Sequence, residues 1–404
     1  MSRAELDQLH DFPYRRLAAL FGDDQPGKSP LLTHIGEPQG NPPALLEEAV
    51  AKNSHLWSKY PPINGTPDYR KTVADWATKR FGLDDGYIDP DSMILPACGT
   101  REALFLAALM AAARKRAMLK EGTRPVICLP NPLYHVYFGG ALMAQADIVA
   151  VDATAENNFV PDYESLSPEI LDRTALVFLC SPGNPTGTVA SLARLKTMIE
   201  AARRHDFILA VDECYSEIWF DNPPPGGLEA CAALGGGLDN VMVFNSLSKR
   251  SSAPGLRNGV IIGPPDLMAD FQMLRGYGGA QVPGPLLAAA TALWADNGHA
   301  DENRRLYNRL VDIATEELGN LPGFSRPEAA FFLWYDVAKC GMTGEEAAKR
   351  LWAEQGVKVM PGRYMSRADE TGKTPGDDFI RIALVHDEET TRDLCDRIRQ
   401  VVAG

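Results

Sequence analysis

Three short segments carry side chains suited to chemistry on an amino group, and each follows a β-rich run of the sequence. The segment 181–187 reads SPGNPTG and contains Asn184, Asp212 comes directly after the run 207–211, and a later SLSK ends in Lys249. Ligands of open α/β sheets bind at the carboxyl ends of the strands, so we expect these three side chains to converge. A lysine, a carboxylate and an amide without metal ligands favour a cofactor that forms a Schiff base and carries a protonated ring nitrogen. Pyridoxal 5′-phosphate fits that description.

A fourth segment, 98–102, places a glycine turn before a strongly helical stretch. Free backbone N–H groups at a helix N-terminus, with the helix dipole behind them, bind anions. Gly99, Thr100 and Arg101 therefore predict a phosphate site. Side chains that follow the third strand are expected to complete it: the hydroxyls of Ser246 and Ser248 and the guanidinium of Arg257.

The elements that must position these segments alternate between β-rich runs and helical periodicity. The β-rich runs occur at residues 126–129, 148–151, 175–179, 207–211, 241–244 and 260–262. Between two of them, apolar residues recur at three- and four-residue steps after Ser191, which predicts a capped amphipathic crossover helix. A crossover helix joins parallel strands, so the central part of the chain is predicted to be α/β.

Beyond about residue 290 the pattern changes to long helices with isolated strands. Thr343 opens a capping box with Glu346, and Gly356 is expected to end that helix. We therefore predict three parts in chain order. They are a proline-rich, extended N-terminal arm at 1–45 that joins the small domain, a large cofactor-binding domain at 46–290, and a small α+β domain at 291–404.

Composition and charge exclude several classes of function. The 404 residues are 45% hydrophobic and 23% charged, which is typical of a folded globular chain with an ample core. A net charge of −13 disfavours nucleic acid and anionic membranes as partners. No apolar run approaches the roughly 20 residues that cross a bilayer, and the first residues lack the apolar core and cleavage site of a signal peptide, so we expect neither feature. Seven cysteines without a CxxC pair, and scattered histidines, predict a cytoplasmic protein with reduced thiols and no metal site.

The order and spacing of the motifs resemble the fold-type I, class I/II pyridoxal-phosphate-dependent aminotransferases, from about Gly36 to Arg381. SPGNPTG is followed by Asp212-Glu-Cys-Tyr215 and by SLSK, with Arg257 eight residues after the lysine. The resemblance implies the fold-type I transferase fold. Its large domain has a mostly parallel central sheet flanked by helices, and a smaller α+β domain follows.

The resemblance also implies roles for individual residues. Lys249 would form the Schiff base and move the Cα proton, and Asp212 would pair with the ring nitrogen. Tyr215 and Asn184 would hydrogen-bond the cofactor's O3′. The other implied positions are Tyr134 stacked on the ring, Arg381 on the substrate α-carboxylate, Gly36 near the substrate, and Tyr60 on the phosphate of the neighbouring subunit in a homodimer with shared active sites.

Segments of the small domain and the arm look most like the N-succinyldiaminopimelate aminotransferases of bacterial lysine and peptidoglycan synthesis. This likeness implies amino transfer between glutamate and a 2-oxo acid, with N-succinyl-LL-2,6-diaminopimelate and N-succinyl-2-amino-6-oxopimelate as substrates. Arg363 or Arg367 is then a candidate to receive a distal carboxylate. Aspartate or a broad range of amino acids stay open as substrates. Two other functions of the same cofactor site also stay open: a carbon–sulfur lyase and a non-enzymatic effector domain.

Overall fold

Strands of the chain form one large and two small sheets. The computed structural model describes residues 3–403, so residues 1, 2 and 404, at the outer ends of the predicted arm and small domain, lie outside the described residues. The strands are β1 (Leu31–Leu32), β2 (Ile94–Ala97), β3 (Val126–Asn131), β4 (Asp147–Asp152), β5 (Thr174–Cys180), β6 (Ile208–Asp212), β7 (Val241–Ser246), β8 (Gly259–Ile262), β9 (Phe332–Asp336), β10 (Val357–Lys358), β11 (Met360–Pro361) and β12 (Phe379–Ala383).

Helices connect and cover these strands. The α-helices are α1 (Arg3–Asp7), α2 (Pro13–Phe21), α3 (Ala44–Lys52), α4 (Pro67–Phe81), α5 (Thr100–Met118), α6 (His135–Met143), α7 (Pro168–Arg173), α8 (Leu192–His205), α9 (Gly227–Leu234), α10 (Leu247–Arg250), α11 (Pro265–Gly278), α12 (Gly284–Ala295), α13 (Gly298–Leu318), α14 (Gly344–Gln355) and α15 (Glu388–Val402). Short 3₁₀ helices occur at Gln8–His10, Ser54–Ser58, Ala155–Asn157, Tyr163–Ser165, Pro254–Leu256, Val337–Cys340 and Gly362–Met365. Among the described helices, none is both long enough and apolar enough to cross a membrane.

The large sheet has seven strands in the order β2-β8-β7-β6-β5-β3-β4. Its strands are parallel except β8, which runs antiparallel to both β7 and β2. The chain passes from β3 out to the edge strand β4 and then returns to the other side of β3 as β5. Ligands of doubly wound sheets bind at such a switch point, outside the carboxyl ends of the strands. The sheet therefore presents the ends of β5, β6 and β7 to one site.

Side chains of the large sheet are buried on both faces. Val177 and Leu179 of β5 belong to one hydrophobic core, whereas Leu176 and Phe178 belong to another. This alternation places a core on each face of the sheet, under helices, as a mostly parallel sheet requires. The predicted fold class is confirmed, and the six predicted β-rich runs form β3 to β8. Sequence reasoning missed β2, a four-residue edge strand whose third residue is proline.

The helix ends predicted from capping residues are also confirmed. The Ser191 hydroxyl accepts a hydrogen bond from the Arg194 amide at 3.2 Å, and α8 starts at the next residue. Thr343 and Glu346 form the reciprocal capping box that opens α14. Gly356 ends α14 in the left-handed region, with φ of 70°.

The smaller part of the molecule surrounds the antiparallel sheet β11-β12-β9, and β1 pairs with β10 beside it. The prediction that the first 45 residues are extended is wrong for two segments, the helices α1 (Arg3–Asp7) and α2 (Pro13–Phe21). Pro13 suits the first turn of a helix, and Leu17 and Phe21 lie one turn apart, buried in the core of the small sheet. The exact boundaries of the three predicted parts stay a prediction.

Candidate active site

A cavity of about 450 Å³ lies at the carboxyl ends of the central strands. A volume of this size is typical of small-ligand sites. Most of the site residues predicted from the sequence line it: Gly36, Thr100, Arg101, Tyr134, Asn184, Asp212, Tyr215, Ser246, Ser248, Lys249, Arg257 and Arg381. Within the described residues, no group of three or more histidine, cysteine, aspartate or glutamate side chains could hold a metal ion. The structure thus brings together one lysine, one buried carboxylate and three arginines.

Lys249 lies on α10, the short helix that follows β7. Its Nζ donates a hydrogen bond to the backbone carbonyl of Gly36 and lies 5.6 Å from the centre of the Phe331 ring. Burial lowers the pKa of the Lys249 amine to about 8, against the opposing effect of the nearby Glu37 carboxylate. The neutral, nucleophilic amine is therefore accessible near neutral pH, as both covalent attachment and proton transfer require.

Asp212 is the last residue of β6 and is 5% exposed. Its carboxylate accepts hydrogen bonds from the Tyr137 hydroxyl at 2.7 Å and from the Cys214 amide at 3.2 Å. Burial raises the pKa of Asp212, and these hydrogen bonds act in the opposite direction because they stabilise the anion. A buried carboxylate on the cavity wall favours a cationic ligand group, such as a pyridinium N–H.

An anion cradle lies at the N-terminus of α5. Gly99 is the N-cap, and its position leaves the first N–H groups of the helix without a side-chain cap. Its φ is 78°, and a Cβ at this position would collide with the guanidinium of Arg257. The Arg257 Nη1 donates to the Pro254 carbonyl at 2.8 Å. Helix N–H groups, an arginine and two cavity-facing hydroxyls, Ser246 and Ser248, suit a phosphate monoester.

Arg381 on β12 brings a second cation from the small sheet into the same cavity. It donates to Asn184 Oδ1 at 2.9 Å and to the carbonyl of His34 at 2.6 Å. Its Nε is buried and has no hydrogen-bond partner among residues 3–403. A buried guanidinium with an unpaired donor is suited to bind a carboxylate ligand, because such a donor is costly to leave unpaired.

Tyr134, predicted to stack on the cofactor ring, and Tyr215, predicted to hydrogen-bond the cofactor, both line the cavity. Tyr215 is buried against the edges of Phe331 and Phe332, with ring centres 5.6 and 5.4 Å away. Tyr134 lies at the N-terminus of α6, and its hydroxyl accepts a hydrogen bond from Arg101 Nε at 2.8 Å. The Arg101 side chain thus reaches over the cavity, in addition to its backbone N–H in the phosphate cradle.

Three residues that the sequence analysis proposed for binding do not line the cavity: Tyr60, Arg363 and Arg367. Tyr60 is 99% exposed. Arg363 forms an ion pair with Asp377 at 2.7 Å and donates to the Gly372 carbonyl at 2.9 Å. Arg367 lies over the Phe138 ring, 4.2 Å from its centre. The distal-carboxylate role expected of Arg363 or Arg367 has no support in this arrangement, because the first is already neutralised and neither faces the cavity.

The cavity also contains residues that sequence reasoning missed: Tyr14, Glu37, Tyr137, Cys180 and Cys214. Cys180 ends β5 and Cys214 follows β6 by two residues. Both could have been predicted to line the cavity, because they lie at the carboxyl ends of strands. Tyr137 lies one helical turn after Tyr134, which was also readable. Tyr14 is carried into the cavity by α2, a helix that the sequence analysis did not predict.

The donor set fits pyridoxal 5′-phosphate at three separate points. The cradle at Gly99 matches the phosphate, the buried Asp212 matches the ring nitrogen, and Lys249 matches the aldehyde carbon. Each match rests on a different kind of group, namely helix N–H groups, a carboxylate and an amine. Among the described residues, Arg381 Nε has no hydrogen-bond partner and is not needed for any of these three matches.

Comparisons with known proteins agree with this chemistry. The sequence profile of the aminotransferase class I and II family matches residues 34–398. The 4-dedimethylamino-4-oxo-anhydrotetracycline transaminase OxyQ of Streptomyces rimosus is 31% identical over 380 residues, covering 93% of this chain and 94% of that protein. An LL-diaminopimelate aminotransferase of Dehalococcoides mccartyi is 30% identical over 360 residues, covering 88% and 87%. A crystal structure of an aminotransferase from Neisseria meningitidis has a TM-score of 0.91 at 36% identity, covering 98% of each chain.

Proposed function

The chain belongs to the class I and II aminotransferases, which depend on pyridoxal phosphate, and from this premise we propose that it transfers the amino group of a dicarboxylic amino acid. Glutamate is one partner in this proposal. The other is a longer 2-oxo acid with a distal carboxylate, with N-succinyl-2-amino-6-oxopimelate of lysine biosynthesis as the leading candidate. LL-diaminopimelate aminotransferases occur among the relatives, and their name refers to a dicarboxylic amino acid, which supports a dicarboxylic substrate here.

The residues around the cavity divide the work of amino transfer. When bound, pyridoxal phosphate supplies an electron sink for the electrons that remain when the substrate Cα loses its proton. Lys249 takes the proton from the substrate Cα and delivers it to the cofactor's C4′. Its lowered pKa of about 8 lets the same amine act first as a base and then as an acid. Asp212 holds a negative charge at the ring end of the cavity and so favours a protonated ring nitrogen.

Other side chains hold and orient the reactants. The helix N–H groups of Thr100 and Arg101, with Arg257, Ser246 and Ser248, would bind the phosphate. Asn184 and Tyr215 would hydrogen-bond the ring hydroxyl, and Tyr134 would stack on the ring. Arg381 binds the α-carboxylate through donors that include its unpaired Nε.

The observation that carries the dicarboxylic proposal is the side chain of Arg101. In the part of the chain that the structure describes, three arginines line the cavity: Arg101, Arg257 and Arg381. Arg257 belongs to the phosphate cradle and Arg381 to the α-carboxylate, which leaves Arg101 for a distal carboxylate. Its hydrogen bond to the neutral Tyr134 hydroxyl leaves its charge uncompensated there, unlike the charge of Arg363. We therefore assign the distal carboxylate to Arg101 in place of Arg363.

A panel of amino donors tests this proposal. Each donor is assayed with 2-oxoglutarate, and glutamate is assayed in reverse with N-succinyl-2-amino-6-oxopimelate. We expect kcat/KM to be highest for substrates with a distal carboxylate and lower for alanine and leucine. Free LL-diaminopimelate is also assayed. It carries a distal ammonium that the succinylated compound lacks, so the two kcat/KM values show whether the site accepts that charge. Equal kcat/KM for alanine, leucine and the dicarboxylic donors would contradict the proposal.

We also propose a homodimer in which Tyr60 reaches the cofactor phosphate of the partner subunit. Tyr60 is 99% exposed and Tyr277 is 93% exposed in the single chain. The two lie on neighbouring segments, because Arg275 of α11 donates to the carbonyl of Ile63 at 3.4 Å. Large exposed aromatic side chains on adjacent segments are typical of a surface that a second protein covers.

A further inference from the structure

Tyr137 touches the buried carboxylate of the site, although no motif singled it out. Its hydroxyl donates to Asp212 Oδ2 at 2.7 Å, and its side chain is fully buried. The ring stacks on Phe178 of β5, with ring centres 4.4 Å apart and planes within 10°. Because β5 and β6 are paired neighbours, the stack fixes the tyrosine hydroxyl beside the end of β6.

The hydrogen bond has a defined direction. Burial raises the pKa of Tyr137 well above its ordinary value, so the hydroxyl keeps its proton and acts as the donor. A donor to a carboxylate stabilises the charged form of that carboxylate and makes it a weaker base. The Cys214 amide acts in the same way on the other oxygen, over a longer distance of 3.2 Å.

We propose that Tyr137 is a positioning residue that keeps Asp212 ionised, so that the proton shared with the cofactor stays on the ring nitrogen. The proposal rests on the proposed role of Asp212 as the partner of that nitrogen. Without the tyrosine hydroxyl, the carboxylate becomes a stronger base and competes for the proton. The ring then loses positive charge although cofactor, lysine and carboxylate are all present.

The test measures the proton on the ring directly. Wild-type protein and Tyr137→Phe are each loaded with pyridoxal phosphate labelled with ¹⁵N in the ring, and the ¹⁵N chemical shift is recorded at one pH. Loss of one hydrogen bond to a charged group corresponds to a change of roughly tenfold to a hundredfold in the ratio of protonated to unprotonated nitrogen. The signal of Tyr137→Phe should therefore move toward that of unprotonated pyridine.

A matched control separates this effect from the loss of any buried hydroxyl. Tyr163 is also fully buried, and its hydroxyl donates to the backbone carbonyl of Phe178 at 2.6 Å. Tyr163→Phe should leave the ¹⁵N signal at its wild-type position. A wild-type signal in Tyr137→Phe, or an equal movement in both variants, would overturn the proposal.

Two further arms keep the result interpretable. Asp212→Asn should remove the proton from the ring, and if it does not, the role of Asp212 itself has failed, apart from that of Tyr137. Thermal melting of the cofactor-free proteins shows whether Tyr137→Phe is folded. If it is not, Tyr137→4-aminophenylalanine, which keeps the shape with a weaker donor, should move the signal in the same direction by less. An unmoved signal in that variant then counts against the proposal.

Discussion

At the scale of single residues, Lys249 has the most specific expected behaviour. Lys249→Ala should bind cofactor without a covalent link, because no other lysine lines the cavity within the described residues. We therefore expect it to lose the visible absorption band of the holoenzyme and to take up no label with borohydride. Absorption spectra and mass spectrometry of the reduced protein measure both. A borohydride-reducible cofactor adduct in Lys249→Ala would show that another amine forms the bond.

Arg101 and Arg363 form a matched pair for the specificity claim. Arg101→Met keeps the backbone N–H of the phosphate cradle and removes only the guanidinium. Loss of a charged hydrogen bond costs about 1.5–3 kcal/mol, so kcat/KM for glutamate should fall by roughly tenfold to a hundredfold. The value for alanine should stay within about twofold, and Arg363→Met should change neither. Equal losses for glutamate and alanine in Arg101→Met would remove the assignment.

The individual residues differ in how far the sequence could predict them. Asn184, Asp212 and Lys249 were predictable because each follows a strand, and parallel strands end at the same edge of a sheet. The choice between Arg363 and Arg101 was not, because it depends on a partner, Asp377, that only the fold places beside Arg363. The role of Tyr137 could not be predicted from the sequence, because it depends on a hydrogen bond to Asp212, 75 positions away in the chain.

At the scale of elements, Glu213 links the end of β6 to the start of α9. Its carboxylate accepts hydrogen bonds from the Gly227 amide at 2.7 Å and from Asn245 Nδ2 at 3.2 Å. Burial raises the pKa of Glu213 from 4.5 to about 7, although these hydrogen bonds and the nearby Arg80 oppose the rise. Between pH 4.5 and about 7, the Glu213 carboxyl is therefore protonated in the folded state and ionised in the unfolded state.

This raised pKa predicts a pH dependence of stability. The contribution of Glu213 is complete below pH 4.5 and is lost as the pH rises through about 7. A rise of this size corresponds to about 3 kcal/mol in the free energy of unfolding. In urea unfolding at several pH values, the free energy of unfolding of wild type minus that of Glu213→Gln should decline as the pH rises from 4.5 through about 7. Parallel curves for the two proteins would contradict the raised pKa.

Elements with strong local signals were predictable, and elements defined by tertiary contacts were not. The capped helices α8 and α14 have a cap residue and a full apolar face, and both begin where expected. In contrast, α2 is a nine-residue helix with three buried residues, Pro13, Leu17 and Phe21. So short a helix gives a weak apolar periodicity, in a segment of the sequence that is rich in proline. Its stability comes from Leu17 and Phe21 in the core of the small sheet, a distant part of the chain.

At the scale of the whole molecule, the proposed homodimer predicts complementation between subunits. Tyr60→Phe should weaken cofactor affinity roughly tenfold to a hundredfold, because it loses a hydrogen bond to a charged phosphate. In a hybrid of Tyr60→Phe with Lys249→Ala subunits, one site then has both changes and the other has neither. Cofactor titration and activity of tagged, purified hybrids should reveal one tight, active site per dimer. Hybrids with no wild-type site would place Tyr60 in its own subunit.

The central claim is that this cavity transfers an amino group and does not release it. The most direct measurement is a single half-reaction, in which holoenzyme is mixed with [¹⁵N]glutamate and no 2-oxo acid is added. We predict that the wild type forms one 2-oxoglutarate per chain and keeps the ¹⁵N on protein-bound pyridoxamine phosphate. Lys249→Ala should form neither product. No formation of 2-oxoglutarate, or 2-oxoglutarate formed without ¹⁵N on the protein-bound cofactor, would contradict the account.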